Sequence, residues 1–163
     1  MKCRDCGKQM TEAVEGYRYV ESGLPNIILH GVKVRRCRDC GAQDVSIPRI
    51  AELHRAIAST IIRKDAPLAP EEIKYLRKYL GWSGADFAEH MGKNVATVSR
   101  WENGRLAMSS TADRLLRTLV AIKSPVESYS VDVLKTISPK GQTKPLRVGL
   151  RLDSSGWHED AAA

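Results

Sequence analysis

Two copies of the pentapeptide Cys-Arg-Asp-Cys-Gly, at 3–7 and 37–41, constrain the fold of this chain more tightly than any other stretch. Each copy sets two thiolates on a tight turn, and the trailing Gly lets the backbone curl beneath a metal. Cys3, Cys6, Cys37 and Cys40 together supply four sulfurs, the donor set of a tetrahedral zinc site. Four thiolates leave no position for water, so the predicted zinc is structural, one ion per chain, and not catalytic. Its binding would contribute folding energy to a segment too small to hold a large core. Iron accepts the same ligands. Two disulfides are disfavoured in a reducing compartment, and a redox Cys-x-x-Cys needs no duplication. His30 lies near these ligands in sequence and reads as an ordinary strand residue.

Between the knuckles, 16–20 and 27–36 are rich in strand formers, and Val32 and Val34 alternate with Lys33 and Arg35 as in a half-exposed strand. Residues 22–26 form the turn, and a further short strand is expected over 42–47. Pro48 opens a helix whose Ile50, Leu53, Ile57 and Ile61 make an apolar stripe, with His54, Arg55 and Arg63 off it; His54 reads as solvated. Residues 1–63 are thus predicted to be a small zinc-binding β domain with a connecting helix, and 64–70, with two prolines, a linker.

The stretch 85–105, ADFAEHMGKNVATVSRWENGR, reads as two short helices joined by a tight turn. Phe87, Ala88 and Met91 share one face, Gly92 stops the first helix, Asn94 caps the second, and Gly104 ends it. Val98 and Trp101 point inward; Ala96, Thr97, Ser99, Arg100 and Asn103 lie outside. A surface of small polar residues with one Arg is what a major-groove reader needs. Before it, 70–72 begin a helix with Ile73, Leu76 and Leu80 buried; after it, 110–113 form a capping-box-like start to a helix with Leu115, Leu116, Leu119 and Ile122.

The net charge of +7 favours an anionic partner. No apolar run approaches the roughly 18 residues of a membrane span, and the N-terminus lacks the apolar region of a secretory signal, so a cytoplasmic protein without a membrane partner is expected. No nucleophile–base pair or open metal is evident, so the chain is not read as an enzyme.

The stretch 84–105 resembles the helix-turn-helix of the Xre/Cro family through its ending Ser99-Arg100-Trp101-Glu102-Asn103-Gly104. The order of duplicated knuckle, connecting helix and helix-turn-helix over 1–122 is similar to the MqsA antitoxins with their YgiT-type zinc finger. The resemblance implies an α+β chain: a four-cysteine zinc-ribbon-like β domain, then an all-α five-helix Xre/Cro-like domain over 71–137, its fifth helix near 130–137. It implies a homodimer held through that domain, double-stranded DNA as partner, and a toxin protein bound through the zinc domain. It makes Cys3, Cys6, Cys37 and Cys40 the metal ligands and Arg100 a base reader. Ala96 falls where a side-chain amide often reads DNA in the family, which moves that readout toward Thr97.

The expected function is a transcriptional repressor of a palindromic operator, the antitoxin of a toxin–antitoxin operon that it autoregulates; the alternative is a stand-alone zinc-containing regulator. Thr97, Ser99, Arg100 and Asn103 are the base-edge candidates, with Lys93, Arg105 and the Asn94 cap on phosphates. Glu102 is expected to orient Arg100 or cap the helix. Residues 138–163 form a C-terminal extension with a strand over 145–152, which must pair with something, and a disordered end from Trp157, itself an available anchor.

Overall fold

The computed structural model describes residues 1–123, 133–137 and 142–160. The fold is mixed α+β, in the order β1 (Met10–Arg18), β2 (Ile27–Cys37), β3 (Gln43–Ser46), α1 (Ile50–Arg63), α2 (Pro70–Tyr79), α3 (Gly84–His90), α4 (Val95–Glu102), α5 (Ser110–Lys123), α6 (Val133–Thr136), β4 (Val148–Leu152) and β5 (Trp157–Asp160). Two compact units divide the chain. The first takes Met1–Tyr19, Asn26–Leu53 and the segment from Arg147; the second takes Val20–Pro25 and His54–Leu146.

The first unit is a five-stranded sheet organised on β2. One edge of β2 pairs antiparallel with β1, and the other pairs antiparallel with β3 and parallel with β4. Ile27, Leu29, Val32 and Val34 are all buried on β2, although strict alternation would put Leu29 and Val32 on opposite faces. A bulge resolves this: His30 and Gly31 face the single Gly16 of β1 between the pairs Glu15–Val32 and Tyr17–Leu29, and Gly31 takes φ 78°. Arg35 bridges Glu12 at 2.8 Å and Asp44 at 3.2 Å, crossing all three strands. His30 sits half-buried in β2, outside the cysteine cluster.

The C-terminal strand pairs with the ribbon: Val148 to Arg151 run parallel to Ile27 to His30. The expectation of a disordered end is corrected for Trp157–Asp160, which form β5 antiparallel to β4. Buried Trp157 donates its Nε1 to the Pro48 carbonyl at 3.2 Å, and Asp153 closes the turn by accepting the Ser155 amide at 2.7 Å and the Gly156 amide at 3.1 Å. Residues 161–163, also expected to be disordered, lie outside the described residues.

In the second unit α2 to α6 form the helical domain. The fifth of these helices falls within the expected 130–137, of which 130–132 lie outside the described residues. Ile73, Leu76, Leu80, Phe87, Val98, Trp101, Leu116 and Val120 make the core. The predicted stripe on α5 holds at Leu116 and is corrected at Leu115 and Ile122. Leu115 and Ile122 are exposed, at 40% and 71%, and the buried positions are Ala112, Asp113, Leu116, Arg117 and Val120.

The cause is Arg117, fully buried. Its Nε donates to Asp113 Oδ1 at 2.6 Å, and its other nitrogens donate to the carbonyls of Ile62, Lys64 and Ala66. Asp113 in turn accepts the Leu68 amide at 2.8 Å. Seating this i,i+4 pair on the core face rotates Leu115 and Ile122 outward. The cap of α5 also lies one residue earlier than expected, since Ser109 Oγ accepts the Ala112 amide. Glu72 is likewise buried and accepts the Ala69 and Leu146 amides beside Lys64.

His54 is half-buried and not solvated as expected. Its Nδ1 lies 2.7 Å from Tyr75 Oη, with the rings stacked. Desolvation holds its pKa below the ordinary value. The folded state therefore binds this proton less tightly than the unfolded chain does. Its contribution to stability is present above roughly pH 6.5 and is lost as pH falls below that. His54→Gln should flatten this part of the pH–stability profile, measured by urea unfolding. Arg117→Met should cost about 3–5 kcal/mol, because Asp113 is left as an uncompensated buried charge. Tryptophan fluorescence during denaturation would report it, and a loss under about 1 kcal/mol would contradict the role given to Arg117.

Candidate nucleic-acid interface and metal centre

The helical hairpin is assembled from complementary caps. Ser83 and Asp86 form a reciprocal box at the start of α3: the Ser83 amide donates to Asp86 Oδ2 at 2.8 Å, and the Asp86 amide donates to Ser83 Oγ at 3.1 Å. The Ser83 hydroxyl, aided by the Ser83 amide, holds the Asp86 carboxyl below the usual carboxylate range. Gly92 turns the chain at φ 59°, and Asn94 Oδ1 then accepts the Thr97 amide at 2.7 Å to open α4. Phe87, Met91, Val98 and Trp101 are buried, with Phe87 edge-on to Trp101 at 6.4 Å.

Glu102 does not serve Arg100. Arg77 of α2 holds it with two bonds, Nε at 2.5 Å and Nη2 at 3.1 Å, and also donates to the Trp82 carbonyl at 2.8 Å. This bidentate pair fixes the C-terminal end of α4 against α2. Arg77 carried no sequence signal beyond being a basic residue in the last turn of its helix.

On the outward side of α4, Ala96, Ser99, Arg100 and Asn103 are exposed and Thr97 is half-buried; Lys93, Asn94 and Arg105 flank them, also exposed. Among the described residues the Arg100 guanidinium has no hydrogen-bond or ion-pair partner. Asn103 closes the helix, its Nδ2 donating to the Ser99 carbonyl at 2.8 Å and Ser99 Oγ at 3.3 Å.

The two knuckles share one backbone pattern. The Cys3 amide bonds the Lys8 carbonyl at 2.8 Å and the Gly7 amide the Cys3 carbonyl at 3.0 Å; Cys37 with Ala42 and Gly41 with Cys37 repeat both distances. Gly7 and Gly41 take φ 72° and 75°, closed to other residues without strain. The repeat brings all four Sγ atoms within 4.8 Å of one another, with Cys3 and Cys40 buried and exposed, and Cys37 and Cys6 likewise. Cys3–Cys40 and Cys6–Cys37 are separated by 3.6 and 3.4 Å.

A metal–sulfur distance near 2.3 Å gives a tetrahedron with edges of about 3.8 Å, so the cluster fits a four-coordinate ion with little adjustment. Without a cation the thiols share protons unequally. The Lys8 amide draws Cys6 down, but the thiols of Cys37 and Cys40 outweigh it and push Cys6 up to about 12. The Cys40 amide, aided by the Cys6 thiol, brings Cys37 down to about 7. Crowded sulfurs of this kind can hold a metal ion, which stabilises all four as thiolates.

Residues 73–119 match the family model described as HTH_3, helix-turn-helix, spanning most of α2 through most of α5. No curated protein matches the chain. The match supports a DNA-binding transcription regulator of the Xre type. Among the described residues no helix is long and apolar enough to cross a membrane. Elemental analysis of the chain should find about one metal ion per molecule, and Cys37→Ser or prolonged chelation should remove it with loss of β-structure by circular dichroism. Retention of full β-structure without metal would show the ion to be dispensable for folding.

Proposed function

We propose that this chain is a sequence-specific repressor that binds a palindromic operator as a homodimer and carries one structural Zn2+ on Cys3, Cys6, Cys37 and Cys40. The observation that carries it is Arg100, unpaired among the described residues, on the exposed face of α4, whose opposite face is locked by Val98 and Trp101 and whose end is clamped by the Arg77–Glu102 pair. A planar guanidinium without an internal partner suits bidentate bonding to guanine. Two copies of α4 would enter successive major grooves, with half-sites roughly 34 Å apart. Ala96, Thr97, Ser99 and Asn103 lie beside the bases, and Lys93, Arg105 and the Asn94 cap hold phosphates. Most of the excess positive charge falls in the second unit, in keeping with that assignment.

We further propose that the gene belongs to a cytoplasmic toxin–antitoxin operon, with this chain as the antitoxin that represses it and the zinc unit as the toxin contact. A stand-alone regulator is the second reading. The pairing of β4 with β2 favours it, because a C-terminal extension is built into the sheet that a toxin would otherwise meet. Co-purification with the neighbouring open reading frame separates the two: a stoichiometric partner, toxic when expressed alone, supports the antitoxin, and a partnerless homodimer supports the regulator.

Arg100→Ala should weaken cognate binding by about 1–3 kcal/mol and relax discrimination at one base pair, whereas Lys93→Ala should weaken all sequences alike and reduce the salt slope by about one. Equal losses on cognate and random duplexes for both variants would overturn the roles assigned here.

A further inference from the structure

We infer that Val95, together with Ala96, reads the 5-methyl group of thymine in the bound site; this rests on the DNA-binding reading above. Val95 is the first residue of α4 and is 54% exposed, whereas the apolar residues that hold the helix in place, Val98 and Trp101, are 1% and 3% exposed. Val95 therefore contributes little to the core. A β-branched side chain is also a poorer helix former than the alternatives available at an exposed position.

The polar groups around it are largely committed to the helix itself. Asn94 Oδ1 is taken by the Thr97 amide, and Thr97 is half-buried. Asn103 Nδ2 is bonded to the carbonyl and hydroxyl of Ser99. What the first turn of α4 presents outward is aliphatic: the two γ-methyls of Val95 and the β-methyl of Ala96.

The N-terminal turn of a recognition helix is the part that meets base edges. An aliphatic surface pressed there dehydrates whatever it covers. Over guanine O6, adenine N6 or cytosine N4 it would bury a donor or acceptor and return no hydrogen bond, which is costly. The thymine 5-methyl is the only alkyl group among the four bases on the major-groove edge, so covering it gives the largest gain. Val95 thereby selects for thymine and against the other three bases, complementing the guanine preference of Arg100 further along the helix.

The test begins by selecting bound sites from random duplexes and then replaces each thymine of the preferred site singly by deoxyuridine, which removes only the methyl. Binding of the full chain is measured by fluorescence anisotropy, and folding of each variant is checked by thermal melting. The wild-type chain should bind about fourfold more weakly for each contacted methyl removed, at one or two positions per half-site. Val95→Ala should bind the thymine site more weakly and show a clearly smaller penalty for deoxyuridine at those positions, the remainder coming from Ala96. The inference is overturned if the wild type tolerates deoxyuridine everywhere, or if Val95→Ala keeps the same sensitivity. Absence of any sequence-selective binding would instead overturn the regulator reading itself, and this inference with it.

Discussion

The buried guanidinium of Arg117 sets the geometry of the second unit. A fully buried cation is tolerable only when every face is satisfied, and here one carboxylate and three backbone carbonyls do so. The carbonyls belong to Ile62, Lys64 and Ala66, the end of α1 and the chain that follows it. The same ion pair that fixes α5 therefore fixes the approach to α2. Asp113 extends the arrangement to the Leu68 amide, and two residues later Pro70 begins the helix whose Arg77 clamps Glu102 at the end of α4. The position of the exposed α4 surface is thus set by two largely buried charged pairs, Asp113–Arg117 and Arg77–Glu102.

The first unit depends on a different constraint, the closure of its sheet over a long stretch of chain. Strand β2 pairs with β4 across more than a hundred intervening residues, so the sheet is completed only by the C-terminal segment. Non-local pairing of this kind is entropically expensive and forms slowly. The cysteine knuckles sit at the start of the chain and at the end of β2. A metal held between them would order β1 and β2 locally before the distant strands arrive.

Much of this was legible in the sequence. The knuckles, the hairpin of α3 and α4, and the Asn94 cap are local patterns whose chemistry is contained within a few residues. The elements that were misread depend on distant partners. Nothing in Trp-His-Glu-Asp alternates, and β5 exists because Trp157 finds the Pro48 carbonyl and Arg151 pairs with Asp160 at 2.7 Å. On α5, Leu115, Leu116, Leu119 and Ile122 make an apolar stripe at helical spacing; Leu116 is buried, and only the seat of Arg117 reveals that the buried face leaves Leu115 and Ile122 outside. His54 looked solvated because its partner Tyr75 lies on another helix.

The run Ser99-Arg100-Trp101-Glu102-Asn103-Gly104 was the strongest family signal, and the structure separates its parts. Trp101 is core, Glu102 belongs to Arg77, Asn103 closes the helix onto Ser99, and Gly104 takes the left-handed turn at φ 69°. Only Arg100 is left without an internal role. A motif of this composition therefore encodes mainly the placement of a helix, and under the proposed function the sequence preference would rest on Arg100 and its neighbours on the same exposed surface. Chains that share the run can share a fold and differ in the site they prefer, since the exposed Val95 and Ala96 at the start of α4 lie outside the core that holds the helix in place.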